Sequence, residues 1–273
     1  MILVNGKTAS SIEVADRGLQ YGDGLFETIA IRDERAILYL SHLKRLEDGC
    51  RRLSIPLIAR RILDEEIFKL CQGVSRGVLK IVVTRGSGGR GYQPPSQPQP
   101  TRILSLHPWP NYPSIFMEYG ITLRVCRTSL GYNPCLAGIK HLNRLEQVLA
   151  RSEWENPMIP EGLMLDSQGH VVEGTMSNLF IVQNGRLETP DLSGCGVAGV
   201  MREFILKQAF NSGLKTIVRP LILADLRSAE EIFMCNSLIG IWPVRRVGET
   251  QYPLGPLTQH LQHLIQIQLL HSN

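Results

Sequence analysis

Apolar and polar residues alternate with two different periods in the first part of the chain. Period-two runs bounded by turn residues predict strands, and runs with apolar residues three and four apart predict amphipathic helices. The predicted strands are ILVNG, FETIAIRDERAILYL, VLKIVV and TRILSL, and the predicted helices are SHLKRLEDGCRRL, with Ser41 as N-cap, and residues 60 to 72. A glycine loop, TRGSGGRGY, and a proline-rich connection, QPPSQPQP, separate the last two strands.

The remaining pattern predicts a second set of strands and helices. GIKHLNRLEQVLAR, residues 138 to 151, has apolar residues at helical spacing and carries Lys140 at its N-terminal edge. The other predicted strands are ITLRVC, GLMLD, VVEGTMSNLFIV, RLET and EIFMCNSL, and the other predicted helices are MREFILKQAF and LTQHLQHLIQIQLL. HPWPNYPS carries three prolines and predicts a linker. The pattern therefore predicts an α+β protein with two subdomains, residues 1–110 and 111–273.

Composition and charge narrow the classes of function. A chain of 273 residues with 43% hydrophobic content can bury two cores, and a net charge of +4 in isolated basic pairs favours an anionic small molecule over a nucleic acid. Six scattered cysteines without a CxxC pair indicate a reducing compartment, and Cys126 and Cys235 lie in apolar strands where inert thiols are expected. We expect a cytoplasmic protein with neither a signal peptide nor a membrane span, and no metal, since His260 and His263 lack further ligands.

Lys140 is the first candidate for chemistry. At the start of a helix the macrodipole disfavours a cation, which would lower the pKa of the amine from about 10.4 toward about 7 to 8, the range useful to a nucleophile or base. The ordinary alternative is a surface lysine that begins a helix.

Other segments supply candidate binding groups, each with an ordinary alternative. The loop GCGVAGV opens onto a helix, so the N–H groups of Val200 and Met201 would point at an anion, or the loop is a simple turn. TRGSGGRGY is either a flexible hairpin loop or a means of bringing Arg85 and Arg90 to a carboxylate. Arg45 is a solvated helix charge unless it faces a phosphate, and Glu173 is an exposed strand residue unless its charge has a partner.

One cofactor accounts for these features together. Pyridoxal 5′-phosphate requires a lysine for its aldehyde, an anion site for its phosphate and a carboxylate beside its ring nitrogen. The sequence also resembles the class IV pyridoxal-phosphate enzymes, whose fold is fold type IV, the fold of D-amino acid aminotransferase. The segments that carry the resemblance span nearly the whole chain: DRGLQYGDGLFET, SHLKRL, LKIVVTRGSGGRGY, LAGIKHLNRLEQVLAR, LDSQGHVVEGTMSNLF, GVAGVMR and FMCNSLIGIWPV.

The resemblance implies a role for individual residues. For the cofactor it implies Lys140 at the aldehyde, Glu173 at the pyridine nitrogen, and Arg45, the Val200 and Met201 backbone and Ser237 at the phosphate. For the substrate it implies carboxylate recognition by Arg90, Tyr92 and Asn236, with Tyr21 and Thr28 lining the pocket. Aminotransferases of the group commonly carry threonine where this chain has Met201, so a side-chain hydroxyl contact to the phosphate is lost.

The resemblance also implies an assembly and a reaction. The family places its cofactor between a smaller N-terminal domain and a larger C-terminal domain that carries the lysine, and it works as a homodimer. Within the family, GSGGRGY and AGIKHLNRLEQVLAR are most similar to the 4-amino-4-deoxychorismate lyases, which release 4-aminobenzoate and pyruvate for folate biosynthesis. A class IV aminotransferase acting on branched-chain or D-amino acids is the alternative, and a non-catalytic phosphate- or nucleic-acid-binding protein is the third possibility.

Overall fold

The structure, a computed structural model, describes residues 1–271. Its helices are α1 (Arg17–Tyr21), α2 (Tyr39–Leu53), α3 (Arg60–Cys71), α4 (Ile115–Glu118), α5 (Leu145–Arg151), α6 (Val200–Asn211), α7 (Leu223–Ser228) and α8 (Pro256–His271). Its strands are β1 (Ile2–Val4), β2 (Lys7–Thr8), β3 (Gly24–Arg32), β4 (Arg35–Ala36), β5 (Arg76–Thr84), β6 (Thr101–His107), β7 (Ile121–Val125), β8 (Glu161–Leu165), β9 (His170–Gly174), β10 (Asn178–Gln183), β11 (Arg186–Pro190), β12 (Thr216–Arg219), β13 (Leu221–Ile222), β14 (Glu231–Asn236), β15 (Gly240–Val247) and β16 (Thr250–Gln251).

The contacts divide the chain into two compact units. Unit 1 comprises Met1–Pro110 and Ile139–Asn143, and unit 2 comprises Asn111–Gly138 and the described residues from Arg144 onward. Each unit has its own sheet and its own helices, which confirms the predicted α+β class.

Unit 1 is built on a six-stranded antiparallel sheet in the order β2-β1-β6-β5-β3-β4. β3 and β5 pair along their whole length, from Gly24 opposite Thr84 to Arg32 opposite Arg76. Helix α2 packs on β3, and Gly49 allows a close approach, because a Cβ there would lie 2.9 Å from the Leu25 methyl groups. Burying each large apolar side chain of this interface contributes about 1.5–3 kcal/mol.

Unit 2 is built on a ten-stranded mixed sheet. Its main order is β12-β11-β10-β14-β15-β7-β8-β9-β13, with β16 paired to β15. The pairs β11 with β12, β15 with β7 and β7 with β8 are parallel. Leu179, Ile181 and Met234 lie in the largest apolar cluster described for this unit, where Trp242 also packs. Because Val171 of β9 also belongs to this cluster, strands β9 and β10 acquire fixed positions.

The predicted helix over residues 138 to 151 is wrong in its first half. Helix α5 begins at Leu145, whereas the residues from Gly138 to Arg144 are not helical and His141 forms an isolated bridge with Leu25 of β3. The N–H of Phe26 donates to the Lys140 carbonyl, and the N–H of Leu142 donates to the Gly24 carbonyl, at 2.9 and 3.0 Å. These bonds occupy backbone groups that a helix would have used, so Lys140 is not at a helix N-terminus.

Two further expectations differ from the structure. Ser41 lies inside α2, whose N-cap is Leu38 in a left-handed conformation with φ of 53°. The segment 139–143 packs with unit 1, although the sequence analysis assigned Lys140 to the second domain, because its backbone pairs with β3.

The exposure of the cysteines and the character of the helices can be compared with the sequence predictions. Cys50, Cys71, Cys126, Cys195 and Cys235 are buried, whereas Cys135 is exposed. Burial raises the pKa of Cys126 and Cys235 to about 12, which confirms that these two thiols are poorly reactive. Within residues 1–271, no helix combines the length and apolar character needed to cross a membrane.

Candidate active site

Strand β3 positions Lys140. The isolated bridge between Leu25 and His141 places the lysine segment against this strand, and the Phe26 N–H holds the Lys140 carbonyl at 2.9 Å. The lysine is half-buried, and its Nζ lies 4.3 Å from the centre of the Phe26 ring. An aromatic face stabilises the protonated amine, and it also confines the side chain to one direction.

Arg45 is held by a buried carboxylate from β3. Its Nε donates to Glu27 Oε1 at 2.8 Å and its Nη2 donates to Glu27 Oε2 at 2.6 Å, a bidentate pair. His42, one helical turn before Arg45 on α2, places Nδ1 2.6 Å from Glu27 Oε2. Glu27 and His42 are 1% and 0% exposed, so the ion pair is shielded from water on that side.

The electrostatics of this group fix its protonation states. Burial acts to raise the pKa of Glu27, but the Arg45 charge and the hydrogen bonds from Arg45 and His42 lower it to about 2. Burial lowers the pKa of His42, Glu27 opposes this, and the charges of Arg45 and Lys140 add to the lowering. His42 is therefore neutral near pH 7, and both cations lie within electrostatic reach of its ring.

The predicted substrate residues of unit 1 fall on three segments. Tyr21 ends α1, and its ring meets the Tyr92 ring edge-on with centroids 5.6 Å apart. Arg90 is exposed, and Tyr92 is 87% exposed, in the glycine loop after β5. Thr28 lies in β3, half-buried and one residue after Glu27.

In unit 2, Glu173 is a buried carboxylate on β9. Its Oε2 accepts the N–H of Val197 at 2.9 Å, and Gln147 Nε2 lies 3.5 Å from Oε1. Arg144 carries a charge that interacts with Glu173, although burial is the larger effect and lowers the pKa of this guanidinium. A buried carboxylate with one strong hydrogen bond and a nearby cation is suited to a ring N–H donor.

Two glycines shape the loop that joins β11 to α6 and that contacts Glu173. Gly196 has φ of +82°, and a Cβ there would lie 2.8 Å from Val172 Cγ1 and 3.4 Å from the Glu173 carboxyl carbon. Gly199 is the N-cap of α6, and a Cβ there would lie 2.0 Å from Asn178 Oδ1. Asn178 holds both sides of this turn, because it donates to the Val197 carbonyl and accepts from the Gly199 N–H.

The residues of unit 2 that are predicted to bind the cofactor phosphate lie at the start of α6 and after β14. Val200 and Met201 occupy the first turn of α6, where backbone N–H groups lack partners within the helix. The Met201 side chain is buried. Ser237 is half-buried and follows Asn236, whose amide donates to the Met176 carbonyl and accepts from the N–H groups of Leu238 and Ile239. Asn236 therefore stabilises the turn that carries Ser237.

The residues fit pyridoxal 5′-phosphate. Taken separately, unit 1 contains an aromatic-flanked lysine and an oriented arginine, and unit 2 contains a buried carboxylate, a helix N-terminus and a half-buried hydroxyl, which are functional groups of the kinds that this cofactor requires. Gln147 Oε1 is also a buried acceptor without a hydrogen-bond partner among the described residues, next to the carboxylate. A bound polar group could supply the hydrogen bond that this buried acceptor beside Glu173 lacks.

Several residues of the site were missed by sequence reasoning. Glu27 and His42 hold Arg45, and Asn178 and Gln147 support the Glu173 loop. The spacing of His42 and Arg45, three residues apart on one helix, was a readable signal that they share a face. Glu27 and Asn178 gave no local signal, because their partners are distant in sequence.

The chain is similar over nearly its whole length to known lyases and aminotransferases. The aminodeoxychorismate lyase of Vibrio harveyi is 39% identical over 267 residues, covering 96% of this chain and 98% of the relative. The crystal structure of 4-amino-4-deoxychorismate lyase from Pseudomonas aeruginosa has 50% identity and a TM-score of 0.95, covering 98% of each chain. A branched-chain amino acid aminotransferase from Escherichia coli has 26% identity and a TM-score of 0.86, covering 97% of this chain and 92% of that one.

The sequence model of the amino-transferase class IV family matches residues 24–247, which include Lys140, Arg45, Glu173 and the start of α6. The chain belongs to the class IV aminotransferase family.

Proposed function

We propose that the protein is a 4-amino-4-deoxychorismate lyase that uses pyridoxal 5′-phosphate and forms 4-aminobenzoate and pyruvate. The observation that carries this assignment is the near-complete match to the Pseudomonas aeruginosa lyase, at almost twice the identity found with the Escherichia coli aminotransferase. The family alone would permit either activity, because lyases and aminotransferases of this class share the lysine and the carboxylate.

Five positions would hold the cofactor. Lys140 would bind its aldehyde, Glu173 would accept the ring N–H, and Arg45, the first turn of α6 and Ser237 would bind its phosphate. When bound, the cofactor supplies an electron sink for the carbon next to the substrate nitrogen. Glu173 keeps this sink effective, because a permanent negative charge favours a protonated ring nitrogen.

Lys140 is the proposed base. The reaction removes a proton from the ring carbon that bears the amino group and breaks the bond to the enolpyruvyl ether, so that the ring becomes aromatic. Lys140 Nζ would take this proton, and the Phe26 ring beside it restricts the amine to a narrow range of positions. Lys140 and Thr28 are the two candidates to return a proton to the departing enolpyruvyl group, which then leaves as pyruvate.

The substrate would be recognised through its carboxylates. Arg90 offers a planar guanidinium in an exposed loop, and Tyr21, Tyr92, Thr28 and Asn236 would complete the pocket. Because the Asn236 amide already bonds to Met176, Leu238 and Ile239, we assign it to shaping the pocket as much as to contacting substrate.

We also propose a homodimer in the cytoplasm. Helix α5 exposes Leu145, Val148 and Leu149 at 76%, 57% and 60%, an apolar face that a second copy would cover. Six cysteines without a disulfide support a reducing compartment. Light scattering of the wild type and of Leu149→Glu tests the dimer, since a buried glutamate should shift the population toward monomer.

The decisive assay compares two reactions of one preparation. In the first reaction the purified protein receives aminodeoxychorismate, and 4-aminobenzoate is measured by fluorescence and pyruvate by a coupled dehydrogenase. In the second reaction it receives an amino acid with 2-oxoglutarate. We expect equal amounts of 4-aminobenzoate and pyruvate. Rapid transamination without 4-aminobenzoate would instead identify an aminotransferase, the activity named for the Escherichia coli relatives.

A further inference from the structure

The tip of the loop that carries Arg90, from Gly89 to Tyr92, has little packing of its own. Gly86, Gly89 and Gly91 have positive φ values of 86°, 51° and 80°, and a Cβ on Gly91 would meet nothing within 4 Å. Arg90 and Tyr92 are exposed. A glycine-rich loop of this kind has many accessible conformations, so its shape depends on contacts from other parts of the chain.

Arg17 supplies such contacts from below the surface. It is 3% exposed, and its Nη1 and Nη2 donate to the carbonyls of Gly91 and Tyr92 at 3.0 and 3.1 Å. Its Nε donates to Asp23 Oδ2 at 2.9 Å. The rigid guanidinium thus connects the two residues after Arg90 to a fixed carboxylate, a geometry that a lysine cannot reproduce.

Asp23 is shared with a second arginine. Arg85 donates to both Asp23 oxygens, at 2.7 and 3.0 Å, and also to the carbonyls of Leu53 and Ser54 at the end of α2. Burial acts to raise the pKa of Asp23, but hydrogen bonds and charges from Arg85 and Arg17 lower it. Asp23 is therefore ionised at neutral pH, and the group carries one net positive charge next to the loop.

The residues on either side of Asp23 contact the lysine segment through their backbone. Asp23 precedes Gly24, whose carbonyl accepts the N–H of Leu142 at 3.0 Å, two residues after Lys140. The Gly22 carbonyl accepts Asn143 Nδ2 at 3.1 Å. One short stretch, residues 22–24, thus supports both the loop of Arg90 and the segment of Lys140.

We infer that Arg17 is a positioning residue, which fixes the loop of Arg90 for substrate binding by holding the Gly91 and Tyr92 carbonyls against Asp23. The aromatic contacts support this role, because the Arg17 guanidinium lies 4.8 Å from the centre of the Tyr21 ring and the Tyr21 ring meets the Tyr92 ring edge-on. The inference rests on the proposed role of Arg90 in recognising a substrate carboxylate.

Limited trypsin digestion measures the loop without using activity. Trypsin cleaves after arginine, and the Arg90–Gly91 bond directly precedes a carbonyl that Arg17 holds. In Arg17→Met we expect cleavage at Arg90 to accelerate about tenfold or more, and in Arg17→Lys by an intermediate factor, while cleavage at Arg60 and Arg61 stays unchanged.

The control is Arg102→Met, which removes a partly buried ion pair to Glu66 in the same unit. It should leave cleavage at Arg90 at the wild-type rate. An unchanged rate at Arg90 in Arg17→Met would refute the inference, and so would an equal acceleration at all sites, which indicates global unfolding.

Steady-state kinetics of the holoenzyme separate positioning from a purely structural role. With aminodeoxychorismate, Arg17→Met should raise KM about tenfold and change kcat less than about threefold, with the cofactor absorbance unchanged and Arg17→Lys in between. An unchanged KM, or a loss of cofactor binding, overturns the inference. A wild-type enzyme that forms no 4-aminobenzoate would instead refute the proposed lyase activity and leave the digestion result standing.

Discussion

The backbone N–H of Phe26 donates to the carbonyl of Lys140 at 2.9 Å, and the Phe26 ring lies 4.3 Å from the Lys140 amine. One residue of β3 therefore sets both the backbone position and the side-chain direction of the lysine. Because β3 is paired along its whole length with β5, the amine is attached to a rigid element, as a catalytic group requires.

Lys140→Ala should abolish covalent attachment of the cofactor. The absorbance near the violet edge should disappear, and 4-aminobenzoate formation should fall by roughly a thousandfold or more, since attachment and proton transfer are both lost. Lys80 is the control residue for this labelling, because its Nζ also lies near the Phe26 ring, 5.6 Å from its centre. After borohydride reduction, peptide mapping should find the label on Lys140; a label on Lys80 or elsewhere contradicts the assignment.

Glu173→Gln should slow the reaction while keeping the fold. Glutamine preserves shape and can still accept the Val197 N–H, but it removes the negative charge that favours a protonated ring nitrogen. We expect kcat to fall by about a hundredfold or more, with cofactor still bound. An unchanged kcat would mean that this carboxylate does not face the ring nitrogen.

The control for that change is Glu231→Gln, another buried carboxylate of unit 2. Glu231 accepts hydrogen bonds from the N–H groups of Leu257 and Thr258 and from the Thr258 hydroxyl at the start of α8. Its substitution should cost about 1–2 kcal/mol of unfolding free energy and leave kcat close to the wild-type value.

Glu27 should make stability depend on acid pH. Its pKa is about 2 in the folded chain against an ordinary 4.5, so the ionised form stabilises the fold above pH 4.5 and this contribution is lost as the pH falls toward 2. Between pH 5 and pH 3, urea unfolding should lose about 2 kcal/mol more in the wild type than in Glu27→Gln. Glu47→Gln, an exposed change on α2, should keep the wild-type slope.

Arg90→Ala should weaken substrate use without disturbing the cofactor. Loss of a charge-assisted pair to a substrate carboxylate should lower kcat/KM by about 10- to 100-fold, mainly through KM, while the absorbance spectrum is retained. Arg61→Ala removes an arginine side chain that is 88% exposed on α3 and serves as the control. Equal kcat/KM values for the two variants would exclude Arg90 from the pocket.

The regular elements were largely predictable, and the start of the α5 helix was not. Strands β3 and β5 and helices α2 and α3 follow their own hydrophobic period, so a local pattern suffices. The pattern at 138–151 is also helical, yet pairing with β3 overrides it as far as Asn143. Lys140 was thus identified from a helix position that it does not occupy, and the combined lysine, anion-site and carboxylate pattern and the family resemblance carried the assignment.

The supporting contacts of the site were beyond local reasoning. Glu27 meets Arg45 only because Gly49 lets α2 approach β3 closely, and Arg17 meets Gly91 across more than seventy residues of sequence. Such pairs depend on how helices and strands pack against each other, and the hydrophobic period of one element does not reveal which residues of another element it will contact. Leu145, Val148 and Leu149 are a further case, since their spacing predicts burial whereas their side chains are 76%, 57% and 60% exposed.

The distribution of the cysteines has a practical consequence. Five thiols are buried, and burial raises the pKa of each of them to about 11 or 12, so they resist alkylation at neutral pH. Cys135 is exposed, and a maleimide dye should therefore label the natural sequence at one site per polypeptide. Mixing donor-labelled and acceptor-labelled protein would then test the proposed homodimer, because subunit exchange would produce energy transfer without any engineered substitution.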